Sequence, residues 1–397
     1  MKKLSNIILL LITIVSCHSN LTTKTSNSNK KTTIDSLTIG YKYTFKSKLL
    51  NENRPIIISL PKKYSTSNAN YPVLYLTDGM QNIWHTIGTI EVLTRTGNIP
   101  PLIVVGIEST NRKRDFTFTN SDNNPESGGG LTFLSFIESE LIPHIETNYR
   151  VNSFRVLEGH SLGGLFTASV LMEKPNLFDA YIMMSPSFWW NKEEATEKAK
   201  LFFKANPDIE KKLFFGIGTY ESGTKWGMRK ELTNFIDAIK ENQPKKLQFE
   251  HKEMEKEGHM SSPLLSTYYG LKYTFSDMLF TDEIYDNYTD EKFLKHENFI
   301  MTKYGKEAKQ SAEEYLGLAF NLINKEKYSN AITILKRSVE AYDFDINIRM
   351  ILASTYEKNN DIKKAIATYK KAVNLPLKYK LSREKEIRKH IIRLENN

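Results

Sequence analysis

The chain has 397 residues, 40% of them hydrophobic and 11% aromatic, enough to bury a sizeable core, and this excludes a disordered chain and leaves room for two domains. Its formal charge of +9 comes from Lys and Arg spread along the whole sequence among Asp and Glu, a pattern of solubility and weak surface attraction that offers no nucleic-acid stripe. The single cysteine excludes an intramolecular disulfide.

Met1-Lys2-Lys3 followed by the apolar run Ile7 to Val15 is a positive segment and a short hydrophobic segment, too short to span a bilayer as a permanent helix, and predicts an export signal. It ends in Ile14-Val15-Ser16-Cys17, which resembles the lipobox of bacterial lipoproteins. The resemblance implies cleavage before Cys17 and a diacylglycerol on its thiol; the alternative is an ordinary secretory signal with an incidental cysteine. Residues 18–36, rich in Ser, Thr, Asn and Lys without an apolar period, read as a flexible tether. The expectation is an exported cell-envelope lipoprotein, anchored to the membrane through Cys17, on the periplasmic or surface side.

Residues 37–280 alternate strands and helices. Ile56 to Leu60, Tyr71 to Leu76 and the near-continuously apolar Leu102 to Ile107 read as strands. Phe133 to Ile145 has helical spacing, with Pro143 marking an end or kink. Further strands are expected at Phe154 to Leu157, Ala180 to Met184, Leu213 to Ile217 and Lys246 to Glu250, with helices near Lys192 to Lys204 and Met228 to Ile239. The order predicts an α/β fold with a doubly wound, mostly parallel sheet, whose catalytic groups collect just after the strands.

After Leu76, the N–H of Gly79 or, better, Met80 is placed to donate to an oxyanion, with Asp78 bracing the turn; a plain Asp-Gly turn is the alternative. After Ile107 a polar loop carries Arg112 and Arg114, read either as clamps on an anionic or oxygen-rich substrate or, for Arg114–Asp115, as a loop brace. The run before Glu158 leads into Gly159-His160-Ser161-Leu162-Gly163-Gly164, a strand, sharp turn and helix containing G-x-S-x-G. Ser161 is the nucleophile in this reading and the Leu162 N–H, unpaired at the helix start, half of an oxyanion hole. Gly164 is read as the point where the helix packs closely on the sheet.

Ser185-Pro186-Ser187-Phe188-Trp189-Trp190 follows the next strand, and Trp189 and Trp190 read as an aromatic wall, with burial of one tryptophan in the core as the alternative. In this fold the acid and then the histidine follow the serine, and the body offers only His251 and His259. His259, in a loop beside Gly258, is the better base. Glu221, just after the Leu213–Ile217 strand, is the orienting carboxylate, with Asp237, Glu253, Glu255 and Glu257 as competitors. No cofactor is needed, and no metal-binding or phosphate-cradling set stands out.

The blocks Tyr71 to Gly79, Arg112 to Asp115, Gly159 to Gly164, Ser185 to Trp190 and Gly258-His259 resemble, in order, the signatures of the esterase D group of α/β-hydrolases. That group includes ferric-siderophore esterases, S-formylglutathione hydrolase, feruloyl and acetyl-xylan esterases, and mycolyltransferases. The resemblance implies an α/β-hydrolase fold and a serine esterase acting through Ser161, His259 and Glu221. The Arg-x-Arg-Asp and Ser-Pro-Ser-Phe-Trp-Trp blocks look most like the siderophore-esterase branch, where basic and aromatic groups face catecholate rings. One departure is Phe116-Thr117-Phe118-Thr119, where a proline commonly follows the threonine.

After a connector over residues 281–307, an all-α module begins. Leu318, Ala319, Tyr328, Ala331 and Leu335 are matched by Leu352, Ala353, Ile362, Ala365 and Tyr369, each 34 residues later, which is the tetratricopeptide period. Pro376 falls where a repeat ends, and the basic closing helix completes a module over 308–397 that needs a neighbour to pack on, the hydrolase or a protein partner. A solvated cap is the default for its charge, and contact with anionic lipid the sharper alternative. Hydrolysis of a small-molecule ester is the first reading of the whole chain. An envelope-anchored scaffold on a vestigial hydrolase body and an acyltransferase are the others.

Overall fold

The structure is a computed structural model and describes residues 38–221, 228–375 and 383–396. Cys17, the expected signal and tether, and Pro376 lie outside the described residues.

The apolar runs become one eight-stranded sheet: β1 (Tyr41–Ser47), β2 (Glu52–Ser59), β3 (Tyr71–Thr77), β4 (Ile103–Ile107), β5 (Val151–His160), β6 (Ala180–Met184), β7 (Lys212–Gly218) and β8 (Gln248–Met254). Their order is β1-β2-β4-β3-β5-β6-β7-β8, parallel from β4 to β8, with β2 antiparallel to β4 and β1 antiparallel to β2. Every residue of β3, β4 and β6 is buried, because helices cover both faces and alternation has no solvent side to respond to. On one face Leu74, Val156, Ile182 and Phe214 meet Ile83 and Ile90 of helix Gly79–Arg95 and Leu271 of helix Ser262–Thr274. On the other, Tyr75, Leu157, Met183 and Phe215 meet Phe133, Phe166, Phe203 and Phe235 from four more helices. The register sets Leu76 beside Glu158 and His160 beside Met184, so the carboxyl ends of β3, β5 and β6 open onto one rim.

Pro143 does not end its helix. The chain stays helical from Gly130 to Asn148 through a π-turn at Ile137–Leu141, where the Ile142 N–H reaches back to the Ile137 carbonyl just ahead of the proline, which has no N–H to donate. Helix Trp190–Ala205 starts irregularly, with Asn191, Lys192 and Glu193 all at positive φ.

The connector is a working part of the fold. Helix Asp290–Tyr304 places Tyr304 against Phe154 and Phe275, with ring centroids 5.0 Å apart in each case, at the amino end of β5. Asp277 accepts from the Tyr304 hydroxyl at 2.6 Å and pairs with Lys303 at 2.7 Å and Lys212 at 3.3 Å. The other side of the same helix carries Glu297, buried against the Tyr315 hydroxyl at 3.0 Å and Arg337 Nε at 2.6 Å. Helices Ala312–Asn324 and Tyr328–Ala341 are repeated as Ile346–Lys358 and Ile362–Val373, and the matched alanines, Ala319 with Ala353 and Ala331 with Ala365, are fully buried where helices touch. On the closing helix Glu384–Glu395 and just before it, Arg383, Arg388 and Arg393 pair with Glu386, Glu384 and Glu357, which spends much of its basic charge internally.

Candidate active site

Ser161 closes β5 with φ 60° and ψ −118°, a conformation in which an L-residue is strained. The glycines around it are required by space: a Cβ at Gly159 would lie 2.2 Å from the Gly163 carbonyl oxygen, and one at Gly163 would lie 2.4 Å from Thr77 Oγ1. A Cβ at Gly164 would meet the Pro186 Cα at 3.0 Å and the Gly159 carbonyl oxygen of β5 at 3.2 Å, so its closeness serves both the sheet and the turn after β6. That turn holds the serine, since Ser161 N–H donates to the Met184 carbonyl at 2.9 Å and Ser187 N–H to the Ser161 carbonyl at 3.0 Å.

Ser161 Oγ lies 3.0 Å from His259 Nε2, and His259 Nδ1 lies 2.7 Å from Glu221 Oε2. His259 sits in the loop between β8 and helix Ser262–Thr274, and Glu221 follows β7, so three separate strand ends converge. The second Glu221 oxygen accepts from Ser185 Oγ at 2.7 Å, Gly218 N–H at 2.8 Å and Ser262 Oγ at 3.2 Å. Burial pushes the Glu221 carboxyl up, but the hydrogen bonds from His259, Ser185 and Gly218 outweigh it and hold it below its ordinary value. An ionised carboxylate with one oxygen fully occupied leaves the other for the imidazole N–H, which fixes the tautomer whose bare Nε2 faces the hydroxyl. Three of the four competing carboxylates are engaged elsewhere: Asp237 with Lys240, Glu253 with Arg229 and Glu255 with Lys256.

Leu162 opens its helix, and its N–H has no acceptor among the described residues. The Met80 N–H, at the start of helix Gly79–Arg95, donates to the Glu108 side chain, so the amide expected to hold an oxyanion already holds a carboxylate oxygen. Burial raises the Glu108 carboxyl, and the Met80 hydrogen bond opposes this.

At this rim two expectations are corrected, for Asp78 and Arg112, and for Arg114 and the tryptophans the structure selects the brace and core alternatives. Asp78 does not brace its turn by accepting backbone hydrogen bonds through its side chain; it binds Arg112 in a two-pronged pair, Nε to Oδ1 at 2.8 Å and Nη2 to Oδ2 at 2.9 Å. Arg112 is thereby spent on the turn, with Nη2 also 3.4 Å from the His160 carbonyl. Arg114 is a brace as well, donating to Asp115 at 2.8 Å and Glu52 at 3.0 Å. Trp190 is 3% exposed and belongs to the core, while Trp189 is half-buried with its N–H on the Met228 sulfur at 3.1 Å, so no pair of tryptophans forms a wall.

Three residues near the serine escaped the sequence reading. Ser187 Oγ is 3.2 Å from Ser161 Oγ. His160, buried beside Ser161, lies with Nε2 2.8 Å from the His259 carbonyl and Nδ1 3.3 Å from Gln81 Nε2. Only downstream histidines were weighed as bases, and a histidine adjacent to the serine carries no spacing signal of its own. Glu158, fully buried under the turn, takes one hydrogen bond from Thr267 and has no partner for Oε2 among the described residues, and burial pushes its carboxyl up to about 7.

The chain is similar to the ferri-bacillibactin esterase BesA of Bacillus subtilis, 33% identical over 237 residues that cover 53% of this chain and 81% of that protein. Among solved structures it resembles an IroE-like serine hydrolase from Shewanella oneidensis, with 27% identity and a TM-score of 0.61 over 76% of this chain and 99% of that one. A Capnocytophaga ochracea protein shares the fold, at 18% identity and a TM-score of 0.61, over 90% of this chain and all of its own. Residues 346–379 match the tetratricopeptide repeat. Residues 47–263, more than half of the chain, match the esterase family described as "Putative esterase", and the protein belongs to that family.

Proposed function

We propose that the protein hydrolyses carboxylic esters through an acyl-enzyme on Ser161. The observation that carries this reading is the continuous chain from Ser161 Oγ through His259 to Glu221, at 3.0 and 2.7 Å. Ser161 Oγ attacks the acyl carbonyl while His259 Nε2 takes its proton, and Glu221 holds Nδ1–H and offsets the charge that the imidazole gains. The Leu162 N–H receives the developing oxyanion together with the Met80 N–H, from which Glu108 withdraws. His259 returns the proton to the leaving alkoxide, and water repeats the sequence on the acyl-enzyme. An alcohol taking the place of that water gives acyl transfer.

The natural substrate in this reading is an ester of the siderophore type or another aromatic ester. The name of the Bacillus relative supports this. Recognition by an arginine clamp is not part of it, because Arg112 and Arg114 are taken by Asp78, Asp115 and Glu52. Feruloyl and acetyl-xylan esters are the alternatives. We further propose that Cys17 carries the lipid that holds the enzyme in the cell envelope and that the repeats bind a protein partner.

Wild-type protein and Ser161→Ala are to be incubated with p-nitrophenyl acyl esters, feruloyl esters and ferric trilactone siderophores, and treated with a fluorophosphonate. The wild type is expected to turn over at least one ester and take the label on Ser161 alone, and loss of the nucleophile to cost about a million-fold in turnover. A variant that keeps a tenth of the activity would sink the assignment.

A further inference from the structure

The loop that carries His259 is tied at its start to the turn after β7, by Tyr220 N–H to the Glu257 carbonyl at 3.0 Å and by Lys256 N–H to Thr219 Oγ1 at 2.8 Å, and is more open beyond that. Around Gly258 a Cβ would find no neighbour within 4 Å, and Lys256, two residues earlier, sits at φ 62°. Within the loop, Ser261 and Ser262 N–H groups donate to the Gly258 carbonyl at 3.2 and 2.9 Å. At His259 itself, among the described residues, the main chain is held from outside the loop by His160. A carbonyl only accepts, so the 2.8 Å contact between His160 Nε2 and the His259 carbonyl requires the hydrogen on Nε2. His160 Nδ1 is then bare and accepts from the Gln81 amide at 3.3 Å. Gln81 follows Met80 directly, so one buried ring spans the oxyanion turn and the base loop.

The two imidazoles also face each other, with centroids 4.5 Å apart and planes at 41°. A second positive ring at that distance would oppose the charge His259 gains on taking the serine proton. Burial, reinforced by the nearby His259 and Arg112, pushes His160 down to about 3, so it stays neutral. It supplies a hydrogen bond without a competing charge.

We propose that His160 is a positioning residue that fixes the main chain of the His259 loop and, through Gln81, holds it in register with the oxyanion turn. This rests on the serine-hydrolase reading above. It assigns His160 no contact with the ester and no part in proton transfer.

The test uses the full chain and the variants His160→Leu, His160→Gln and Gln81→Leu. It measures kcat and KM on p-nitrophenyl acetate, the rate of fluorophosphonate labelling at Ser161, and thermal melting. His160→Leu is expected to lower kcat by about 10- to 100-fold, the cost of a base displaced by a fraction of an ångström, with KM changed by less than about twofold. Labelling should slow in parallel. Gln places an amide N–H close to where Nε2 lies, so His160→Gln should recover kcat to within about fivefold of wild type, and Gln81→Leu should show a smaller loss of the same kind.

A folded Leu variant with wild-type kcat and labelling overturns the proposal. So does a Gln variant as impaired as Leu, which would assign the effect to packing, or a rise in KM at constant kcat, which would put His160 in contact with the ester. If the Leu variant does not fold, the Gln and Gln81 variants decide by the same criteria. A wild-type protein that turns over no ester and takes no label sinks the serine-hydrolase reading and this role together, whereas an active wild type beside an unaffected Leu variant sinks the role alone.

Discussion

The two ends of the central sheet are finished with different residues. At the carboxyl ends of β3, β5 and β6 the chain turns through Asp78, Ser161 and Ser185, non-glycine residues at φ 51°, 60° and 43°. At the amino end, where the helical module docks, Gly97 and Gly305 stand at φ 73° and 102°, and a Cβ on them would strike the Tyr342 hydroxyl at 2.4 Å and the Asn70 carbonyl oxygen at 2.2 Å; Gln243, ahead of β8, is a non-glycine residue there at φ 44°. An L-residue in such a conformation costs on the order of 1–2 kcal/mol, a cost glycine avoids. The strained residues are those whose side chains are used: Asp78 grips Arg112, Ser161 presents its hydroxyl, and Ser185 holds Glu221. Glycine appears where only the backbone must come close. The contrast concerns these strand ends, since positive φ also occurs at Lys256 after β8, at Asn191, Lys192 and Glu193 in the first turn of their helix, and at Gly128 in the loop after β4. The comparison teaches that this protein stores strain where a side chain is needed and packs for stability at the other end.

Substitutions at the rim should therefore cost turnover, and substitutions at the docking end should cost stability. After loss of Ser161, the largest effect is expected from Glu221→Gln, which removes the carboxylate that sets the imidazole tautomer and should lower kcat about 10⁴-fold, while Glu253→Gln changes it by less than about twofold. Steady-state kinetics on an activated ester measures both, and equal losses would remove Glu221 from its role. Next comes Glu297→Ala at the docking end, which strands Arg337 and the Tyr315 hydroxyl. Urea unfolding should show a loss of about 3 kcal/mol, with kcat of the folded fraction within about twofold of wild type. A fall in kcat without a fall in stability would break the contrast between the two ends.

The smallest effect concerns Glu158, which lies at the rim but touches no reacting atom. Its folded value of about 7 exceeds the ordinary 4.5, so the folded state keeps a proton that the unfolded state has released. Stability from this group is complete below about pH 4.5 and is lost as pH rises to about 7, a decline on the order of 3 kcal/mol. Unfolding curves at pH 5 and pH 8 should differ for the wild type, and Glu158→Gln should flatten that difference. A slope that persists in the Gln variant would assign it to another group.

How much was legible in the sequence follows the same division. The serine turn could be read because its geometry forces small residues at Gly159 and Gly163, and the strands could be read because burial on both faces leaves continuous apolar runs. Clamp and brace could not be separated for Arg112 and Arg114 because a count of charges says nothing about which carboxylates lie within reach once β2, β3 and the following loops are brought together. Helix Asp290–Tyr304 was passed over as connector because its buried stripe, Phe293, Glu297, Ile300 and Tyr304, contains a glutamate, and the partner that makes that glutamate tolerable lies 40 residues away. His160 was invisible for a related reason: its importance lies in a backbone carbonyl 99 residues downstream, and a main-chain acceptor has no residue type to recognise.

The Glu108 side chain on the Met80 amide has a consequence for traffic through the site. On the proposed mechanism each turnover liberates a carboxylic acid whose oxygens leave from beside that same amide. To linger there, the product anion must displace a carboxylate that is tethered to the protein and already at hand, and it gains little by exchanging one carboxylate for another. The tetrahedral intermediate, with its full charge aimed at two donors, gains more. On that mechanism the resting contact would act as a built-in competitor that sweeps product out and would leave the site ready for the next ester without a separate opening step.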